Sequence, residues 1–192
     1  MAVYAIPAYP KQLELRDRTQ VAVRPLAESD GEALLAFFLS IPEDERYFLK
    51  HDVTSPEVIR DWVSNLDFHR VLPLIAIDGE RIVGEAALIR KRGAARSHLA
   101  EMRVVVAPGY RDKGLGTLLV REICDIASDE EFSGILFELI PDREPEAYAT
   151  AEWLGFVRTG TIEGGACDQA GHLHDIALMV MPLGRYYEWS KY

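Results

Sequence analysis

The stretch best equipped for chemistry runs Ala100-Glu101-Met102-Arg103-Val104-Val105-Val106-Ala107-Pro108-Gly109-Tyr110-Arg111-Asp112-Lys113-Gly114-Leu115-Gly116-Thr117. It reads as a buried valine-rich strand, a turn rich in backbone N–H groups and the start of a helix. The first amides of a helix have no intrahelical acceptor, and its positive end favours anionic oxygens. Gly114 and Gly116 carry no Cβ, so backbone there can approach a ligand closely. Arg111 adds charge-assisted hydrogen bonds. Gly-x-Gly alone marks little more than a helix start. Arg-x-x-Gly-x-Gly between a valine strand and an amphipathic helix points to a phosphate cradle.

A second group is weaker. His172 and His174 lie two apart in an expected strand and so share a face, with Asp175 adjacent. A metal would need a third ligand, which the sequence does not offer. Ordinary strand surface is the reading, with lining of a substrate cleft as the alternative, and no metal is expected. Cys124, on the helix after the phosphate loop, reads as buried packing.

The elements that must position these residues are legible from pattern. Leu13 to Leu26 alternates around Asp17-Arg18, which predicts a hairpin leading into a first buried strand. Ser29-Asp30 opens a helix carrying Leu34, Leu35, Phe37 and Phe38. Thr54-Ser55-Pro56-Glu57 is a stronger start, with a cap hydroxyl, Pro in the first turn and an acid beside the positive helix end. Val71 to Ile77 and Arg81 to Ile89 are apolar runs joined at Asp78-Gly79, a hairpin signal. A strand from about His98 to Val106 stops at Pro108-Gly109. Leu115, Leu118, Leu119, Ile123, Ile126 and Ala127 then recur at helical spacing. Ile135 to Ile140 is a strand, Glu144 to Leu154 a helix, and Phe156 to Ile162 and Leu173 to Met181 two closing strands. The tail Arg185-Tyr186-Tyr187-Glu188-Trp189 is expected to pack on the domain or on a second subunit, which leaves a homodimer open. The order describes a mixed α/β domain with antiparallel hairpins before a strand–helix–strand unit.

Composition sets the bounds. The chain has 192 residues with 31 Asp and Glu against 21 Lys and Arg, a net charge of −10. That length suits one domain with a sizeable core. The acidity argues against nucleic acid, which requires a basic surface. It suits cationic partners such as amines or lysine-rich segments. Two cysteines, Cys124 and Cys167, are too few for a disulfide framework or a zinc site, which suggests the cytoplasm. Met1 to Tyr9 lacks the early positive charge and the apolar length of a signal peptide, and no membrane span is expected.

The loop Arg111-Asp112-Lys113-Gly114-Leu115-Gly116-Thr117 resembles the pyrophosphate signature of the GNAT acyltransferase superfamily, Gln/Arg-x-x-Gly-x-Gly/Ala. Val21-Ala22-Val23-Arg24-Pro25-Leu26 with Asp30 resembles the family's opening, and Trp153-Leu154-Gly155-Phe156 its closing Leu-Gly-Phe. The resemblance implies the GNAT fold over residues 15–183, with short extensions at 1–14 and 184–192. That fold is a mixed, mostly antiparallel sheet of about seven strands flanked by about four helices. It implies acetyl-CoA or another acyl-CoA as co-substrate, with Arg111 to Thr117 around the pyrophosphate and the backbone of Val104, Val105 and Val106 along the pantetheine and acyl groups. Within the family, Leu15-Arg16-Asp17 and the run from Ala100-Glu101 to Val106 are similar to the catalytic domain of Pat-type bacterial protein lysine acetyltransferases. Those enzymes carry a glutamate, assigned as general base, at the position of Glu101.

The implied reaction is transfer to a primary amine, a small molecule or a protein lysine. A lysine amine has a pKa near ~10.4 and is nucleophilic only when neutral, so a carboxylate must take its proton. Glu101 is the candidate base, with Glu85 in the neighbouring strand as runner-up. Glu101 could instead face solvent or pair with Arg103. A strand N–H near Val105 or Val106 could stabilise the oxyanion. The tyrosine that many members place four residues before the Leu-Gly-Phe glycine is Ala151 here, and the frequent Asn after the fifth strand is Glu144. The missing tyrosine motivates a second reading, a non-catalytic acyl-CoA-binding or sensing domain. A nucleotide-binding regulator is disfavoured, since glycine spacing and strand order match neither a Walker nor a Rossmann fingerprint.

Overall fold

The computed structural model describes residues 9–49, 52–90 and 93–184. The aromatic tail at 185–189, with its expected packing, lies outside the described residues. The strands are β1 (Lys11–Glu14), β2 (Gln20–Pro25), β3 (Val71–Asp78), β4 (Arg81–Arg90), β5 (Leu99–Val106), β6 (Gly134–Leu139), β7 (Val157–Cys167) and β8 (Leu173–Pro182). The helices are α1 (Gly31–Ser40), α2 (Glu43–Arg46), α3 (Pro56–Ser64), α4 (Leu115–Asp129) and α5 (Pro145–Leu154). The strands are hydrogen-bonded in the order β1-β2-β3-β4-β5-β6-β8-β7. β1–β2, β2–β3, β6–β8 and β7–β8 are antiparallel, while β5–β6 is parallel with α4 as its crossover. The expected GNAT architecture is present, with one more strand and one more helix than about seven and about four.

The described residues divide into two compact units. One comprises the residues up to Ala87 together with Val104–Leu119; the other comprises Leu88–Arg103 and the residues from Val120 onward.

In the first unit, α1 and α3 bury one apolar stripe each. Leu34, Phe37 and Phe38 meet Ile59 and Val63, with Ile75 of β3 and Ile82 of β4 in the same cluster. Val105 and Ala107, at the end of β5, pack against it. Burying a side chain the size of Phe38 stabilises the fold by about 1.5–3 kcal/mol. Helix α3 starts where its sequence signal lies: the Ser55 hydroxyl accepts the Val58 N–H at 3.4 Å, ahead of Pro56. The corner between β2 and α1 is fixed by a bidentate pair, Arg24 to Asp30, with both bonds at 2.7 Å. Asp30 also accepts the Ala27 N–H at 2.8 Å. The Arg24 guanidinium holds the Asp30 carboxyl below the usual carboxylate range.

The second unit packs Ile123, Cys124 and Ala127 of α4, Ile135, Phe137 and Leu139 of β6, and Ala177, Met179 and Met181 of β8 in its interior. Phe137 and Phe156 meet edge to face at 5.8 Å. Gly155 closes α5 in the left-handed conformation, φ 101°, which only glycine adopts without strain. Cys124 is buried, as expected, and Cys167 is an exposed thiol.

Candidate active site

The end of β5 and the start of α4 carry the site, and their backbone explains why. The parallel pairing of β5 with β6 covers Leu99 to Met102, which faces Phe137. β5 continues to Val106, so the β6-facing backbone of Arg103 to Val106 lies beyond the ladder. Strand backbone past its last partner offers N–H and C=O groups to an elongated ligand, just as an edge strand does. On the other side the strand end stays tied to β4, with the Ala107 N–H donating to the Val83 carbonyl at 3.0 Å.

After β5 the chain makes a short turn at Pro108–Tyr110 and enters α4 at Leu115. Gly114 stands at φ 87°, a left-handed conformation that a side chain would strain. The first helical backbone bond runs from the Leu118 N–H to the Gly114 carbonyl at 3.1 Å. The preceding N–H groups therefore open on the positive end of a helix of 15 residues. A Cβ on Gly116 would meet Val106 Cγ2 at 3.6 Å, so helix and strand end lie side by side. A nest of amides next to spare strand backbone fits a ligand with phosphate at one end and amides along its length.

This loop is held rigidly by residues far away in the sequence. Tyr110 donates its hydroxyl hydrogen to Asp78 and accepts from Arg81 at 3.3 Å. The Asp78 carboxylate raises the Tyr110 pKa above its ordinary value. Lys113 pairs with Asp17 at 2.9 Å and lies over the Tyr110 ring at 5.1 Å. That ammonium is the main reason the Asp17 carboxyl falls to about 2. The Lys113 carbonyl accepts the Arg16 N–H at 2.9 Å, which docks the β1–β2 turn on the loop.

The remaining expected residues fall as follows. The Arg111 guanidinium, read from sequence as a phosphate ligand, pairs with Glu45 of α2 at 2.6 and 2.9 Å. Its Nε donates to the Val106 carbonyl at 3.2 Å. The Arg111–Glu45 pair is solvent-exposed on both sides, and such pairs contribute about 0–1 kcal/mol, so exchanging it for a phosphate costs little. Asp112 is exposed with φ 60°, Leu115 is fully buried, and Lys113 and Thr117 are half-buried. Leu115 therefore anchors the start of α4 through its buried side chain. Val104, Val105 and Val106 are half-buried.

Glu85 lies on β4 at 3% exposure. Its neighbour Gly84 faces Leu115 and Leu119 of α4, where a Cβ would come within 3.0–3.2 Å. Alternation along the strand puts Glu85 on the face away from α4. Glu101 is half-buried on β5, between the buried Ala100 and Met102, and so on the opposite face from both. Ala151 is buried in α5, and Tyr148, one turn earlier, is half-buried. The Glu144 carboxylate is engaged locally, accepting the Ile140 N–H at 3.0 Å at the start of α5.

His172 and His174 are not plain strand surface. β8 begins at Leu173, and Asp168 sits between the two rings, 3.0 Å from His172 Nδ1 and 3.6 Å from His174 Nε2. His174 Nδ1 lies 2.6 Å from Asp142. Asp142 is the first cause of a raised His174 pKa, and His174 the first cause of a lowered Asp142 pKa. A raised histidine pKa adds stability that is complete below about pH 6.5 and lost as pH rises through the folded value. The carboxylate's share is lost only as pH falls below about 3.8 towards its lowered value. The melting temperature is thus expected to fall as pH rises above about 6.5, and the slope to flatten in His174→Gln. Parallel slopes for both proteins would rule this out.

Residues 35–156 match the Acetyltransferase (GNAT) family, and the chain belongs to that family. It is 26% identical over 123 residues to the acetyltransferase PA5475 of Pseudomonas aeruginosa, an alignment covering 62% of this chain and 65% of that protein. The chain therefore spans just under two thirds of that relative's length. Among solved structures, the ribosomal-protein-S5-alanine acetyltransferase of Vibrio fischeri superimposes with a TM-score of 0.76 at 17% identity, covering 92% of this chain and 98% of that one. The GNAT domain of S. lividans PAT gives 0.74 at 20% identity, covering 90% and 96%. These likenesses establish the fold.

Asp17 and Glu45 come to this loop only through the fold. The sequence marks Leu15-Arg16-Asp17 only by its likeness to a subgroup.

Proposed function

We propose that this chain transfers an acetyl or other acyl group from acyl-CoA to a primary amine. The observation that carries the reading is the pairing of spare β5 backbone at Arg103–Val106 with the amide nest at Gly114. Arg111 to Thr117 would hold the pyrophosphate, and the backbone of Val104 to Val106 the pantetheine amides. The co-substrate supplies a thioester, which delivers the acyl group. Glu101 takes the proton from the amine, directly or through water, and a β5 N–H near Val105 or Val106 faces the developing negative oxygen. Ala151 has no proton to give, so water protonates the departing sulfur, with Tyr148 as the nearest alternative on α5. A protein lysine or a small amine is the acceptor, and the net charge of −10 favours a cation in either case. Two cysteines, Cys124 and Cys167, with no disulfide between them, suit a reducing cytoplasm. Among the described residues no helix is long and apolar enough to cross a membrane.

The buried Ala151 favours one other reading, an acyl-CoA-binding domain without turnover. The test is CoA release from acetyl-CoA with a panel of polyamines, amino acids, aminoglycosides and lysine-containing or free-N-terminus peptides. Release that requires an amine and matches acylated product one to one is expected. Saturable acetyl-CoA binding with no amine-dependent release across the panel would favour the binding domain.

A further inference from the structure

We propose that Arg16, in the β1–β2 turn, is a phosphate-binding residue of the cofactor site. The inference rests on the acyl-CoA reading above and deepens it. Arg16 lies across Gly114: a Cβ built there would sit 3.4 Å from Arg16 Nε, 3.5 Å from Cγ and 3.7 Å from Cδ. The turn is anchored by the Arg16 N–H on the Lys113 carbonyl at 2.9 Å, so the side chain is brought to the loop by backbone. Lys113 is paired with Asp17, and Arg111 must exchange Glu45 before it can meet a phosphate. The Arg16 side chain is exposed, and no described residue offers its guanidinium a hydrogen bond or ion pair.

A guanidinium beside the open amides of a helix N-terminus presents a flat fork of donors to an anion that those amides already favour. An acidic chain repels a polyanion at long range, so a cation at the point of contact counts for more here. The side chain is solvated, and pairing it with phosphate costs little desolvation. The chemistry is shared by two groups of CoA, the pyrophosphate and the ribose 3′-phosphate. The Gly114 contact places Arg16 at the pyrophosphate nest.

The experiment is calorimetric titration of the full chain with CoA and with dephospho-CoA, which lacks the 3′-phosphate. Arg16→Ala removes the fork but keeps the backbone bond to Lys113, and Arg16→Met also keeps an apolar stem over Gly114. Both are expected to weaken CoA binding about tenfold or more. Arg16→Lys should recover part of the loss, and the affinity of both charge-free variants should depend less on salt than that of the wild type. An equal loss with dephospho-CoA identifies the pyrophosphate; a loss confined to CoA identifies the 3′-phosphate and still places phosphate on Arg16. Wild-type affinity for both ligands in Arg16→Ala and Arg16→Met overturns the inference while leaving the acyl-CoA reading intact. A wild-type chain that binds neither ligand overturns that reading and this inference with it.

Discussion

Gly114→Asp is expected to abolish acetyl-CoA binding, a loss of about 100-fold or more in affinity. Three effects act in the same direction. Gly114 stands at φ 87°, where a residue with a Cβ is strained by about 1–2 kcal/mol. The new side chain would start 3.4 Å from Arg16 Nε, in the space over the amide nest. Its carboxylate would supply an internal anion to the helix N-terminus and to Arg16, occupying the positions that favour phosphate. Gly114→Ala shares the first two effects without the charge, so its loss should be intermediate. Gly109→Ala is the control, because a Cβ there meets nothing within 4 Å. The readout is thermal shift: ligand at 100 times its Kd stabilises by about 2.7 kcal/mol, which for a chain of this size raises the Tm by about 5–10 °C. The shift should persist in Gly109→Ala and vanish in Gly114→Asp. An undiminished shift in Gly114→Asp, with its ligand-free Tm near that of the wild type, would show that phosphate binds elsewhere.

The loop was legible in the sequence because its signal is local. Strand, turn, glycines and helix start follow one another, and each residue type carries its physical reason with it. The same holds for the hairpin at Asp78-Gly79, where Gly79 takes φ 62°, and for the cap at Ser55. What holds the loop in place was not legible, because it is made of contacts between distant segments. Nothing in Asp17, Glu45 or Asp78 as residue types says that they meet Lys113, Arg111 and Tyr110. Arg111 shows the consequence: its type suggested a phosphate ligand, and the fold gives it a carboxylate partner as well. One helix has no counterpart in the sequence pattern, and one strand runs longer than its pattern suggests. α2 spans only Glu43–Arg46, too short for a helical period to show. β7 extends beyond Ile162 to Cys167 through Gly164-Gly165, where its register against β8 shifts between Ile162 and Ala166. His172 and His174 looked like inert surface because Asp142 and Asp168 reach them only after the chain folds.

Glu101→Gln is expected to lower amine-dependent turnover about 10²–10⁴-fold while changing CoA affinity less than about threefold. The substitution keeps the size of the side chain and removes its capacity to accept a proton. A lysine-like amine is almost wholly protonated at pH 7, so the reaction needs a group that takes the proton as the nitrogen attacks. Glu101 is half-buried on β5, whereas Glu85 on β4 is 3% exposed, and the proposed reading gives the proton to the more accessible of the two. Glu101 also lies on β5 itself, two positions before Arg103, where the strand leaves its pairing with β6. On the proposed reading the cofactor is held by loop backbone amides and arginines, so its affinity should survive the substitution. The expected loss corresponds to about 3–5 kcal/mol of transition-state stabilisation. Raising the pH should narrow the gap between the variant and the wild type, since more of the amine is then neutral without help. Glu85→Gln serves as the comparison. Wild-type turnover in Glu101→Gln with a hundredfold loss in Glu85→Gln would exchange the two roles. Wild-type turnover in both would show that the amine loses its proton to solvent before it attacks.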